Sequence, residues 1–194
     1  MSGVSGDAVP EDAGPGDAGL EGPVFGGAVS DADRDAVHRQ LGREPRGVLA
    51  IAHRCACGEP DVVTTTPRLP DGTPFPTLYY LTCPRLTAAV STLEAEGRMR
   101  DMQARLLGDQ DLRSQYQQAH DSYLAERERL QPVLEIAGVS AGGMPDRVKC
   151  LHVLVGHSLA SGAGVNPLGD EALAELGERG LVRGPTCAER SSSA

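Results

Sequence analysis

Residues 77–93 read Thr77-Leu78-Tyr79-Tyr80-Leu81-Thr82-Cys83-Pro84-Arg85-Leu86-Thr87-Ala88-Ala89-Val90-Ser91-Thr92-Leu93, and the period of the chain changes inside them. Thr77–Thr82 is aromatic and aliphatic with threonine at both ends, which predicts a strand. Pro84 suits the first position of a helix, and Leu86, Val90 and Leu93 then mark one helical face. A strand therefore hands over to a helix at Cys83. Upstream, Gly47–Arg54 and Asp61–Thr66 are β-rich, with Cys-Ala-Cys-Gly-Glu-Pro between them as a turn. The three runs together predict a small antiparallel sheet. Downstream, Met99, Met102 and Leu106 fall on the face opposite Leu86, so the helix bends at Gly97 or its halves bury different sides. Gly108 and Asp109 read as a C-cap followed by an N-cap. A helix over 109–131 carries the stripe Leu112, Tyr116, Ala119, Tyr123 and Leu130, and the two form a helical hairpin.

Beyond the hairpin, Pro145 is expected to start a helix that runs to about Ser161 and is apolar nearly all round, hence buried. A final short helix follows over about 168–176, and one precedes the sheet over 31–41, with Gly42 as its stop. The fold class is α+β: a three-stranded antiparallel sheet packed against four or five helices.

The chain has 194 residues and a formal net charge of -9, with 27 acidic and 18 basic side chains. Five acids and no base lie within residues 1–30, which also hold eight glycines and three prolines. Such a stretch buries too little apolar surface to offset its ordering entropy, so 1–30 reads as a disordered tail. Residues 186–194 read as a short flexible end, leaving 31–185 as one α+β domain. That domain is close to neutral, which argues against nucleic-acid binding driven by bulk charge. The acidic start lacks a signal-peptide core, and the apolar run 150–165 is shorter than the ~20 residues that span a bilayer. The expectation is a cytoplasmic protein with no membrane association. There the five cysteines should be thiols or ligands, not bridges.

Three constellations carry chemistry. His53, Cys55 and Cys57 alternate by two, which puts them on one strand face at a hairpin tip, and Cys83 ends the neighbouring strand. Zinc requires ligand atoms within ~4.5 Å of one another. Cys150 and His157, seven residues apart on the predicted helix, fail that limit, and His152 points away from Cys150. The metal set is thus Cys55, Cys57 and Cys83 with Cys150 or a histidine, holding zinc or an iron–sulfur cluster. The competing reading is four small buried hydrophobes.

The second constellation is Cys83 as a nucleophile, since a helix N-terminus and an adjacent arginine, here Arg85, both favour a thiolate. His53, His152 or His157 would act as base; the competing reading is an N-cap or core cysteine. The third is an anion site, where Gly142 and Gly143 lead into a helix start bearing Arg147 and Lys149, with Arg68 and Arg85 at the strand ends. The plain alternative is loop glycines and solvated arginines. Lys149 is the single lysine of the chain. The loop from Thr66 to Pro76, stiffened by Pro67, Pro70, Pro74 and Pro76, is either a pocket wall or, preferably, a rigid crossover.

The stretches Ala52–Cys55, Pro67–Arg85, Ala141–His152 and Asn166–Glu171 resemble an uncharacterised family of high-GC Gram-positive bacteria catalogued as domain of unknown function 501. The resemblance covers roughly residues 40–180. Family members are often named after a neighbouring septum-formation gene, which implies gene context, and no catalytic residue is carried over. The favoured functional expectation is a pocket for a small anionic or phosphorylated molecule, with His53 and His152 moving protons. The alternatives are a metal-stapled, non-catalytic interaction module linked to division, and a Cys83 thiol enzyme.

Overall fold

The computed structural model describes residues 29–182. The expected tails fall outside that range, except that Val29 is buried and Ser30 caps the first helix, its hydroxyl accepting from the Asp33 amide at 3.1 Å.

Helix α1 (Asp31–Leu41) leads into strands β1 (Val48–Arg54), β2 (Pro60–Thr65) and β3 (Tyr79–Leu81). They form one antiparallel sheet in the order β1-β2-β3. The β1–β2 register is irregular on both sides of His53. Such irregularities re-aim side chains at the end of a strand. β2 is buried along its whole length, as its central place in the sheet requires. The crossover from β2 to β3 is rigid: the Phe75 amide bonds the Pro67 carbonyl at 2.8 Å, and the Leu69 amide bonds that of Thr73 at 2.9 Å.

The helix that follows Cys83 is two helices, α2 (Pro84–Ala95) and α3 (Arg98–Gly108). Gly97 between them has φ 89°, a left-handed conformation that ends one helix and re-aims the next. This resolves the two opposed apolar faces, because α2 buries Leu86, Ala89, Val90 and Leu93 while α3 buries Met102 and Leu106. Helix α4 (Gln110–Leu130) starts at the expected cap, the Asp109 carboxylate accepting from the Leu112 amide at 2.9 Å. Within its stripe Tyr116, Ala119 and Tyr123 are fully buried, and Leu112 and Leu130 pack partly buried against the core.

The expected helix start at Pro145 is incorrect. Residues 141–143 make a 3-10 turn, and the chain then folds back: the Arg147 amide bonds the Gly143 carbonyl and the Lys149 amide bonds that of Gly142, both at 2.8 Å. Helix α5 begins only at Leu151 and ends at Ser161, with Cys150 at its N-cap position. The cap is tertiary: the Glu94 carboxylate on α2 accepts from the Leu151 amide at 2.7 Å. No local pattern encodes such a cap. Helix α5 is the buried central helix, and it packs on β3 and on α6 (Pro167–Glu178). A side chain at Gly169 would overlap the Leu154 carbonyl, so glycine is what lets α6 cross α5 closely. Among the described residues, one hydrophobic cluster joins the sheet to α2 through α6.

Arg127 on α4 is 2% exposed, yet its guanidinium donates to the carbonyls of Val139 at 2.6 Å and Ile136 at 2.7 Å. A buried cation is tolerated when its donors are matched in this way. No helix among the described residues is long and apolar enough to cross a membrane.

Candidate functional site

A cavity of about 240 Å³ opens at one end of the sheet. Its polar lining is His53, Cys55, Cys57, Asp61, Cys83 and Arg85, set against Leu86, Leu159, Leu173 and Val182. A mostly apolar hollow with a few convergent polar groups is the usual form of a small-molecule site.

Each element delivers one of these groups. The irregular register of β1 presents His53 beside the start of β2, where Asp61 sits. The His53 Nδ1–H donates to Asp61 Oδ1 at 2.7 Å, with the Asp61 side chain 6% exposed and that of His53 37% exposed. The carboxylate holds the His53 imidazole above its ordinary range, against the opposing effect of burial. The Thr82 amide donates to the Asp61 carbonyl at 2.9 Å, which brings Cys83 alongside that dyad. Cys83 is buried at the N-cap position of α2, and its side chain makes no capping bond. Arg85, one residue into α2, donates from Nε to the Leu181 carbonyl at 3.1 Å.

Cys55 and Cys57 line the same cavity but are joined in a disulfide, with Cα atoms 5.3 Å apart. The expectation that all cysteines are thiols or ligands is corrected here. A tight turn, closed by the Gly58 amide on the Cys55 carbonyl at 2.8 Å, folds the two sulfurs together.

Of the expected metal set, Cys55, Cys57, Cys83 and the alternative fourth ligand His53 line this cavity, while Cys150 lies in a different cluster. Its sulfur is 3.8 Å from His152 Nδ1, so His152 points toward Cys150 and not away from it. The late start of α5 is the reason: Cys150 precedes the helix at its N-cap position, in extended backbone, and does not share a helical face register with His152. Glu94 completes the group, its Oε1 3.2 Å from His152 Nδ1. The Cys150 sulfur first, and then the Glu94 carboxylate, hold the His152 imidazole up to about 9 against desolvation.

The expected anion set is divided among three places. Arg68 Nη2 donates to both carboxylate oxygens of Glu135 at 2.7 Å, while Nη1 donates to the Gly72 carbonyl at 2.7 Å within the crossover loop. Arg85 lines the cavity at the sheet end. Gly142, Gly143, Arg147 and Lys149 line a third hollow of about 380 Å³ with Cys150. The amides of Arg147 and Lys149 are spent on the turn, and the true helix start at Leu151 already receives a carboxylate from Glu94. Farther along α5, His157 is fully buried against Tyr79 and Tyr123, with ring centroids 6.0 and 5.2 Å away. Burial pushes its imidazole down to about 4.

Two acidic residues central to these clusters carried no functional signal in the sequence. Asp61 read only as a strand start, although the antiparallel register across the 55–60 turn sets it next to His53. Glu94 had no local signal, because its partners lie 57 and 58 residues away.

A family model described as "Protein of unknown function (DUF501)" matches residues 51–174, which is more than half of the chain and includes both clusters. No curated protein and no solved structure matches.

Proposed function

We propose a Cys83-centred thiol chemistry for this chain, which belongs to the DUF501 family, a family whose description names no reaction. The observation that supports it is the His53–Asp61 pair, 2.7 Å apart, in the same cavity as a cysteine at a helix N-terminus. Nucleophile, base and orienting carboxylate then occur together, the arrangement that activates a weak nucleophile.

In this reading Asp61 fixes the tautomer of His53 by accepting from Nδ1–H, so that Nε2 takes the proton of the Cys83 thiol. The Cys83 sulfur forms a bond to an electrophilic atom of the substrate, a carbonyl carbon or a disulfide sulfur. The leaving group departs with the electron pair of the broken bond and receives the proton from His53. Arg85 pairs with an anionic group on the substrate, and Leu86, Leu159 and Leu173 receive its apolar body. The substrate class is a small molecule with one negative charge and an apolar portion. This keeps the anionic ligand of the sequence reading and, of its four cations Arg68, Arg85, Arg147 and Lys149, retains Arg85 at the sheet end.

The experiment compares two alkylating reagents of similar size, anionic iodoacetate and neutral iodoacetamide, with labelling at Cys83 read by peptide mass spectrometry. Cys83 in the folded chain should prefer iodoacetate relative to the unfolded chain, and Arg85→Ala should abolish that preference. An equal preference in folded and unfolded chains rejects the anionic substrate.

A second reading rests on the same cavity. With the disulfide reduced, Cys55, Cys57 and Cys83 would add three thiols to the cavity that His53 also lines, residue types that suit zinc. Elemental analysis of reduced, untagged protein separates the two: a metal lost in Cys55→Ser and Cys83→Ser supports the metal reading, and a metal content unchanged by those substitutions, with a reactive Cys83, supports the enzyme.

A further inference from the structure

We propose that Glu94, Cys150 and His152 form a second, separate site that binds a divalent ion of the zinc class through three protein ligands. Their ligating atoms all lie within 4.8 Å of one another. A tetrahedral zinc ion with ligands at its ordinary bond lengths separates N, O and S donors by about 3.3–3.8 Å. Here Cys150 Sγ is 3.8 Å from His152 Nδ1, and Glu94 Oε1 is 3.2 Å from the same nitrogen.

The surroundings orient these ligands. His152 Nε2 lies 3.2 Å from the Thr87 carbonyl and 3.3 Å from the Ser91 hydroxyl. A carbonyl only accepts, so Nε2 carries a proton; the second ring proton, on Nδ1 beside the Glu94 carboxylate, is the one an ion would displace to take that nitrogen. A backbone carbonyl behind the imidazole is the support that metal-binding histidines ordinarily have. Glu94 is held in turn by the Leu151 amide at 2.7 Å. The ligands come from α2 and from the start of α5, which pack directly on each other. Rigid elements keep such a geometry better than a loop does.

One thiolate, one imidazole and one carboxylate make a borderline donor set, which selects zinc over the hard cations magnesium and calcium. Three protein ligands leave a fourth position open, as in catalytic zinc sites. Cys150 also lines the hollow of about 380 Å³. The site shares no residue with the Cys83 cavity, so it stands whether or not the thiol chemistry does.

The test uses the full chain, reduced and stripped with a chelator, then titrated with zinc alone by calorimetry and with cobalt by absorption. Bound cobalt should show a sulfur-to-metal charge-transfer band and binding of one ion per chain at this site. Cys150→Ser should abolish the band and weaken zinc binding by at least about tenfold. A combined Cys55→Ser, Cys57→Ser and Cys83→Ser variant should keep both. If Cys150→Ser fails to fold, zinc protection of Cys150 from alkylation in the unmutated chain gives the same answer. Absence of the band, its loss only in the combined variant, or unprotected Cys150 overturns the proposal and leaves a Glu94–His152 ion pair only.

Discussion

The carboxylate of Glu94 accepts from the backbone amide of Leu151 at 2.7 Å, so one helix supplies the cap of another across 57 residues of sequence. This bond sets where α5 begins, and with it the places of Cys150 and His152. Replacing Glu94 by Ala should cost about 1 kcal/mol of stability, the usual loss of a capping side chain. Glu94→Gln keeps an accepting oxygen and should cost less. Urea unfolding of both variants checks the order.

Arg127 ties the Ile136 and Val139 carbonyls to α4 while nearly fully buried. Arg127→Leu keeps the apolar stem and removes the donors, leaving those carbonyls unmatched. At roughly 1–3 kcal/mol for each buried polar group left unsatisfied, the expected loss is about 3 kcal/mol. A smaller loss than Glu94→Ala would show that residues 133–139 rearrange at little cost.

His157 governs the acid limit. Its imidazole titrates near 4 in the folded chain, against about 6.5 in an unfolded one. Between those values the unfolded chain binds the proton and the folded chain does not, so stability falls as the pH drops from 6.5 toward 4. The full effect is about 3 kcal/mol. Asp170 opposes the shift and keeps it from being larger. Denaturant unfolding at a series of pH values should show this slope in the native chain and its loss in His157→Gln.

Most elements were legible because their signals are local. Pro84 and Asp109 mark helix starts, Gly97 marks a break between opposed apolar faces, and the three β-rich runs pair as neighbours do. The misread helix start at Pro145 had a good local signal too, but Gly142 and Gly143 turn the chain and the cap arrives from α2. The site was legible in its residue types and only partly in its grouping. His53 and Cys83 line one cavity because β1 and β3, on either side of β2, both end there, which alternation and register encode. Cys150 parts from the other cysteines because the true helix start lies six residues beyond the expected one. The Cys55–Cys57 bridge contradicts an inference made from compartment, to which turn geometry is indifferent.

Thiol activation in this cavity is read by the rate at which Cys83 is alkylated at neutral pH by iodoacetamide, resolved from Cys150 by peptide mass spectrometry. The folded chain should react faster at Cys83 than the urea-unfolded chain, and His53→Gln and Asp61→Asn should each bring the rate down toward the unfolded value. A Cys83 that reacts no faster when folded, or that is unaffected by loss of His53, contradicts the assignment of this cavity to thiol chemistry.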